Sequence, residues 1–241
     1  MNSLSYNNYV SIYPKNVSLK GKTLISGFHG IGATGYWSVK YLVQKLPVKR
    51  CCIVDYEDSA PVSTLINGMI STPYEIFTYN DLAIFKVDVP VQKDKELKFY
   101  RSFADQIIRK GVKEVFLVGG LDSTLKTDDS KYRIAATSAY KLRGLLSEAK
   151  PLEDEHIIVG PVAILLNYFE IKNFPAVALL AYASPDRVDP RAASVAVETL
   201  SKYYGFEIDV TPLIKGAETI EAELAKETSQ QEFKPPTNIY T

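Results

Sequence analysis

Cysteine is scarce in this chain: 241 residues contain two, side by side at Cys51-Cys52. They sit in an apolar run that reads as a buried strand, where neighbouring side chains point to opposite faces. A reduced, structural role is therefore expected rather than a disulfide framework. Histidine is as rare, with only His29 and His156, too far apart for a His-x-x-x-His pair, and no metal site is expected. No apolar run approaches the ~20 residues of a membrane-spanning helix. The start, Met1 to Lys20, is polar and rich in Tyr and Asn, without the basic opening and apolar stretch of a secretory signal. Excess charge is missing too: 28 Lys plus Arg balance 28 Asp plus Glu, so no field draws the chain onto nucleic acid or an anionic membrane. These absences lead us to expect a cytoplasmic protein with local recognition, no nucleic-acid partner and no membrane partner.

What is present is the material of a folded core. Apolar residues make up 46% of the chain and charged residues 23%, enough to bury ~70% of the extended-chain surface. After a polar lead-in over 1–20, Thr23 to Ser26 reads as a short strand, followed by a glycine-dense turn. Val39, Leu42, Val43 and Leu46 recur at helical spacing, and Pro47 closes that helix. Cys51 to Asp55 reads as the next buried strand, and Ser59 to Pro73 as a loop. Tyr74 to Tyr79 and Leu82 to Val87 flank Asn80-Asp81 as a hairpin. Asp94 is expected to cap a helix with Leu97, Phe103, Ala104, Ile107 and Ile108 on one face, stopped by Gly111. Val115 to Val118 then reads as a core strand.

Tyr132 to Thr137 is expected as a strand, with helix from there towards Lys150. His156 to Val159 and Val177 to Tyr182 read as strands around a helix opened by Gly160-Pro161. Asp189-Pro190 suits a helix start, with Gly205 as its end, and Thr211-Pro212 repeats the start signal before a last helix to about Glu227. Strands alternating with helices imply a single α/β domain over 21–227 with a mostly parallel, mixed sheet covered on both faces. Residues 228–241, polar and containing Pro235-Pro236, read as an extended tail that carries Ile239-Tyr240-Thr241.

Three sets of residues invite a chemical reading. Gly30-Ile31-Gly32-Ala33-Thr34-Gly35 fits G-x-G-x-x-G after a strand and before a helix, with Asp55 about 20 residues on. In a dinucleotide site Gly30, Gly32 and Gly35 admit a pyrophosphate at the helix N-terminus, and Asp55 holds ribose hydroxyls. Against it stand Gly27 at the strand end and the bulky Tyr36-Trp37. A glycine-rich turn also arises where the chain needs close packing or positive φ. Asp122, Asp128 and Asp129 cluster after a core strand, where solvated loops also collect carboxylates. His29 and Ser123 lack identifiable catalytic partners, so no catalytic residue, cofactor or metal ligand is assigned. Finally, Ile239, Tyr240 and Thr241 can enter a shallow protein pocket as an apolar anchor, a hydrogen-bonding phenol and a carboxylate paired to a lysine.

From about Lys22 to Glu227 the chain resembles the proteasome assembly chaperone family. The resemblance rests on Gly27-Phe28-His29-Gly30-Ile31-Gly32 leading a helix, Gly119-Gly120 after a strand and Gly160-Pro161 before an apolar helix. Asp189-Pro190-Arg191-Ala192-Ala193 and Gly205-Phe206-Glu207-Ile208-Asp209 follow in order. With Ile239-Tyr240-Thr241, the chain is similar to the archaeal branch, whose tails carry a hydrophobic-Tyr-any motif. The resemblance implies a phosphorylase/hydrolase-like three-layer sandwich without catalytic residues or cofactor. It also implies a homo-oligomer, tetramer or pentamer, that binds proteasome core particle α-subunits and aids ring assembly or opens the gate for unfolded protein clients. The rival expectations are a nucleotide- or dinucleotide-binding protein using the Gly30 to Gly35 loop, and a general holdase whose tail is incidental.

Overall fold

The computed structural model describes residues 9–219. The chain runs through β1 (Val10–Tyr13), β2 (Thr23–Gly27), α1 (Thr34–Lys45), β3 (Lys49–Tyr56), β4 (Thr64–Ile66), β5 (Met69–Ser71), β6 (Tyr74–Tyr79) and β7 (Leu82–Val87). It continues through α2 (Lys93–Arg109), β8 (Glu114–Asp122), β9 (Tyr132–Ala136), α3 (Gly160–Ile171), β10 (Ala176–Ala183) and α4 (Pro190–Tyr204). Eight strands form one sheet in the order β1-β3-β6-β7-β2-β8-β10-β9, and β4 pairs with β5 separately. β3, β7, β2, β8 and β10 share one direction, while β1, β6 and β9 run against it.

The sheet is buried on both faces because its central strands carry runs of consecutive apolar residues. In β8, Val115 and Leu117 enter the core beneath α2 and α3, while Phe116 and Val118 enter the core beneath α1 and α4. In β10, Ala178 and Leu180 face the first core, and Val177 and Leu179 face the second. Period-two alternation within continuous apolar runs thus builds an α/β/α sandwich of three layers. Aromatic packing sets the α2 side: Phe85 stacks on Phe103 at 4.1 Å, and Phe99 meets Tyr56 edge-on at 4.7 Å.

Helix ends follow the sequence signals at most points. The Asp189 carboxylate accepts from the Ala192 N–H and starts α4, and Gly205 ends it at φ 71°, a left-handed geometry that glycine adopts without a Cβ penalty. At α2 the cap position falls on Gln92, with Asp94 inside the first turn, where its charge still favours the helix dipole. Leu97 lies outside the core at 47% exposure.

Four further expectations differ from the structure. Residues 10–13, within the polar lead-in, form edge strand β1, with Val10 and Ile12 buried beneath α2. The loop between Ser59 and Pro73 contains the β4–β5 hairpin, turned by Asn67 at φ 50° and Gly68 at φ 76°, the left-handed pair of a tight hairpin. The helix expected after Thr137 shrinks to a short 3-10 turn at Gly144–Ser147. Residues 156–159 are not a strand. β10 has both edges occupied, by β8 and β9, and 150–152 runs along β9 instead, bonded through Ile134 N–H to Lys150 O and Leu152 N–H to Ile134 O. The chain is helical over 211–219, and the expected course of that helix beyond 219 lies outside the described residues.

Candidate functional site

Open α/β sheets bind ligands at the carboxyl ends of parallel strands, and the Gly30 to Gly35 loop stands there, at the end of β2. The loop is filled by the protein itself. A Cβ on Gly35 would lie 2.3 Å from the Val118 carbonyl oxygen, and one on Gly120 would lie 2.2 Å from the Ile31 carbonyl oxygen. Gly32, at φ 62°, has the Ala183 and Asp189 side chains against its own Cβ position. Its carbonyl accepts from the Asp189 N–H at 2.8 Å. The loop thereby joins the ends of β2, β8 and β10 to the start of α4.

Two amides of this turn are also engaged. The Ala33 N–H donates to Gly30 O at 2.8 Å and the Tyr36 N–H to Phe28 O at 3.1 Å. Asp55 is no partner for this loop, since β6 and β7 stand between β3 and β2. Three strand spacings put it about 14 Å away across the sheet. The glycines are placed for packing, and the elements of the dinucleotide fingerprint do not converge.

His29 stacks on Tyr36 with ring centroids 4.0 Å apart. Burial lowers its pKa, opposed by the Asp88 charge and aided by Lys40, which favours a neutral ring at pH 7. Asp122 caps its own turn through the Thr124 N–H and hydroxyl, both at 2.8 Å. Asp128 accepts from Arg133 and from Lys150, the latter at 2.7 Å. Arg133, 2% exposed at its side chain, also donates to Glu153 at 2.7 Å and lies over the Tyr182 ring. The Arg133 bond holds Glu153 at about 2. Glu153 and His156 stand three residues apart, yet Glu153 is committed to Arg133. Among the described residues no group of three or more His, Cys, Asp and Glu side chains could hold a metal ion.

Among the described residues, the β4–β5 hairpin and its approach carry a run of exposed apolar side chains. Val62, Leu65, Ile66, Met69 and Ile70 are 49% to 70% exposed. Leu65 and Ile66 are neighbours on one strand and so point to opposite faces. The hairpin base is fixed: Arg50 donates to Ile70 O at 2.6 Å and to Glu75 at 2.8 Å, and the Ser71 hydroxyl donates to Glu75 at 2.8 Å. Sequence reading missed this surface, although Asn67-Gly68 was a legible turn signal. Ile239, Tyr240 and Thr241 lie outside the described residues. No described helix is long and apolar enough to cross a membrane.

The architecture defines an α/β/α sandwich whose glycine turn is a packing device. The PAC2 family model matches residues 24–228, and the chain belongs to that family. It is 23% identical over 227 residues to an uncharacterised protein of Methanocaldococcus jannaschii, covering 90% of each chain. Among solved structures it is similar to Pyrococcus furiosus PbaA, described as an archaeal homolog of proteasome-assembly chaperone. There the TM-score is 0.73 at 23% identity, with 92% of this chain and 98% of that one covered. It is also similar to PbaB of the same organism, described as an archaeal proteasome activator, with TM-score 0.69 at 20% identity and 91% and 99% covered.

Proposed function

We propose that this protein is a non-enzymatic, ATP-independent proteasome-binding factor of the cytoplasm, an assembly chaperone or activator. In this reading Ile239, Tyr240 and Thr241 dock into pockets between α-subunits of the core particle. The observation that carries it is the PAC2 match over residues 24–228 followed, in the same sequence, by Ile-Tyr-Thr. The descriptions of PbaA and PbaB support the partner, and the filled glycine loop speaks against a nucleotide as the working ligand. A single tripeptide binds weakly, so a homo-oligomer, tetramer or pentamer, supplies the strength by engaging several pockets at once. Linked copies gain ~10² to 10⁴ in avidity when the tails span the pockets.

Native electrophoresis with archaeal core particles tests the reading. Intact protein should shift the core particle, and a form lacking Tyr240 and Thr241 should not, while its thermal unfolding stays unchanged. Equal binding by both forms would sink the tail model.

A further inference from the structure

A β-bulge interrupts the β3–β6 ladder at one point. Arg50 faces Phe77 and Cys52 faces Ile76, which leaves Cys51 as the extra residue. The β1 pairing of β3 reaches only to Ile53, so neither neighbouring strand holds Cys51 in register. In a regular strand the two thiols would point to opposite faces. Here both belong to the α2 side: Cys52 is buried in that core, and Cys51 packs against it half-buried. Their sulfurs are 3.0 Å apart, about 1 Å more than a disulfide bond of ~2.05 Å.

We propose that Cys51 and Cys52 form a redox-active vicinal dithiol whose reaction partners are low-molecular-weight disulfides. Cys51, the more accessible thiol, is the nucleophile. The Cys52 thiol beside it lowers the Cys51 pKa more than burial raises it, and Cys52 is shifted upward in turn. The Cys51 thiolate attacks one sulfur of R–S–S–R, forming a mixed disulfide and releasing RS⁻, which takes up the Cys52 proton. The Cys52 thiolate then attacks the Cys51 sulfur and expels the second RS⁻. The sum is two protein thiols plus RSSR giving one protein disulfide plus two RSH, with the second RS⁻ taking the proton lost by Cys51.

The product is readily reversed. Consecutive Cα atoms are 3.80 Å apart, shorter than the usual 4.4 to 6.8 Å of disulfide-linked residues, and strained disulfides have more oxidising potentials. The bulge leaves Cys51 without a register partner on β6, so ring closure there displaces no paired residue. Arg50, next to it, anchors the β4–β5 hairpin through Ile70 O and Glu75, so ring closure bears directly on the hairpin base.

The test is incubation of the reduced full chain with glutathione disulfide, followed by intact mass and alkylation. The expected product has lost two hydrogens, resists alkylation at both cysteines and is restored by dithiothreitol. Cys52→Ala should instead accumulate the glutathione adduct on Cys51, and Cys51→Ala should lose the reaction. As a check on the unsubstituted protein, phenylarsine oxide should be captured one per chain with loss of one water, held against a monothiol and released by a dithiol. Two glutathione adducts, disulfide-linked dimers, no oxidation, or arsenical that a monothiol strips off would each overturn the proposal.

Discussion

Gly27 and Gly35 meet backbone to backbone: a Cβ on Gly27 would stand 2.3 Å from the Gly35 carbonyl oxygen. Neither backbone can retreat cheaply, since Gly27 belongs to β2 and Gly35 to the first turn of α1. Gly27→Ala and Gly35→Ala should therefore lose at least the ~1 to 3 kcal/mol typical of overpacking. Gly30→Ala should be almost neutral, because nothing lies within 4 Å of its Cβ position and its φ of −161° is extended backbone open to any residue. Thermal or urea denaturation separates the three. A Gly30→Ala variant as destabilised as the other two would refute this packing account.

The same filled loop predicts a flat thermal response to NAD and ATP. A ligand that binds the folded state at 100 times its Kd stabilises it by ~2.7 kcal/mol, which a melting scan detects. A saturable rise with either nucleotide would return Gly30, Gly32 and Gly35 to a binding role.

Glu75 and Lys86 face each other across the β6–β7 ladder, 3.3 Å apart and nearly fully buried. Burial alone would raise the Glu75 pKa, but bonds from the Thr72 N–H, Arg50 and Ser71, with the Lys86 charge, hold it below 4.5. A carboxyl depressed in the folded state stabilises fully above its unfolded pKa, and that contribution fades as pH falls through the folded value. Stability should thus drop on acidification below about pH 4.5. Glu75→Gln should cost about 2 kcal/mol at neutral pH, the scale of a hydrogen bond to a charged group. The gap to the unsubstituted protein should narrow in acid, and a constant gap from pH 6 to pH 3, about the span in which a carboxyl titrates, would refute the assignment.

Much of the fold was legible because its central strands and helices carry local signals. Val115 to Val118 is an apolar run, Asp189-Pro190 is a capped start and Asn80-Asp81 is a turn between two strand-like runs. What escaped depends on distant partners. Val10 to Tyr13 becomes a strand only because Tyr56 to Ile53 lies alongside it, and 156–159 fails as a strand because β9 already occupies the edge of β10. The bulge at Cys51 is likewise invisible until β6 is placed. The glycine fingerprint misled for a related reason: Asp55 has the right spacing in sequence, while the strand order sets it three places from β2.

Asp189 bridges the glycine loop and α4, and its removal should show how strongly the two are tied. One carboxylate oxygen accepts from the Ala192 N–H and the other from the Ser184 N–H, each at 3.0 Å, while its own N–H donates to Gly32 O. Loss of an N-cap side chain costs ~0.5 to 2 kcal/mol, and the second bond places Asp189→Ala at the upper end of that range. Asp189→Asn retains an oxygen for Ala192 and can replace only one of the two acceptors, so it should fall between the two. Hydrogen exchange locates the effect: the Asp189→Ala change should raise exchange at the first turn of α4 and in the 31–34 loop together. Exchange confined to α4 would mean that the loop is held by its glycine contacts alone, without help from Asp189.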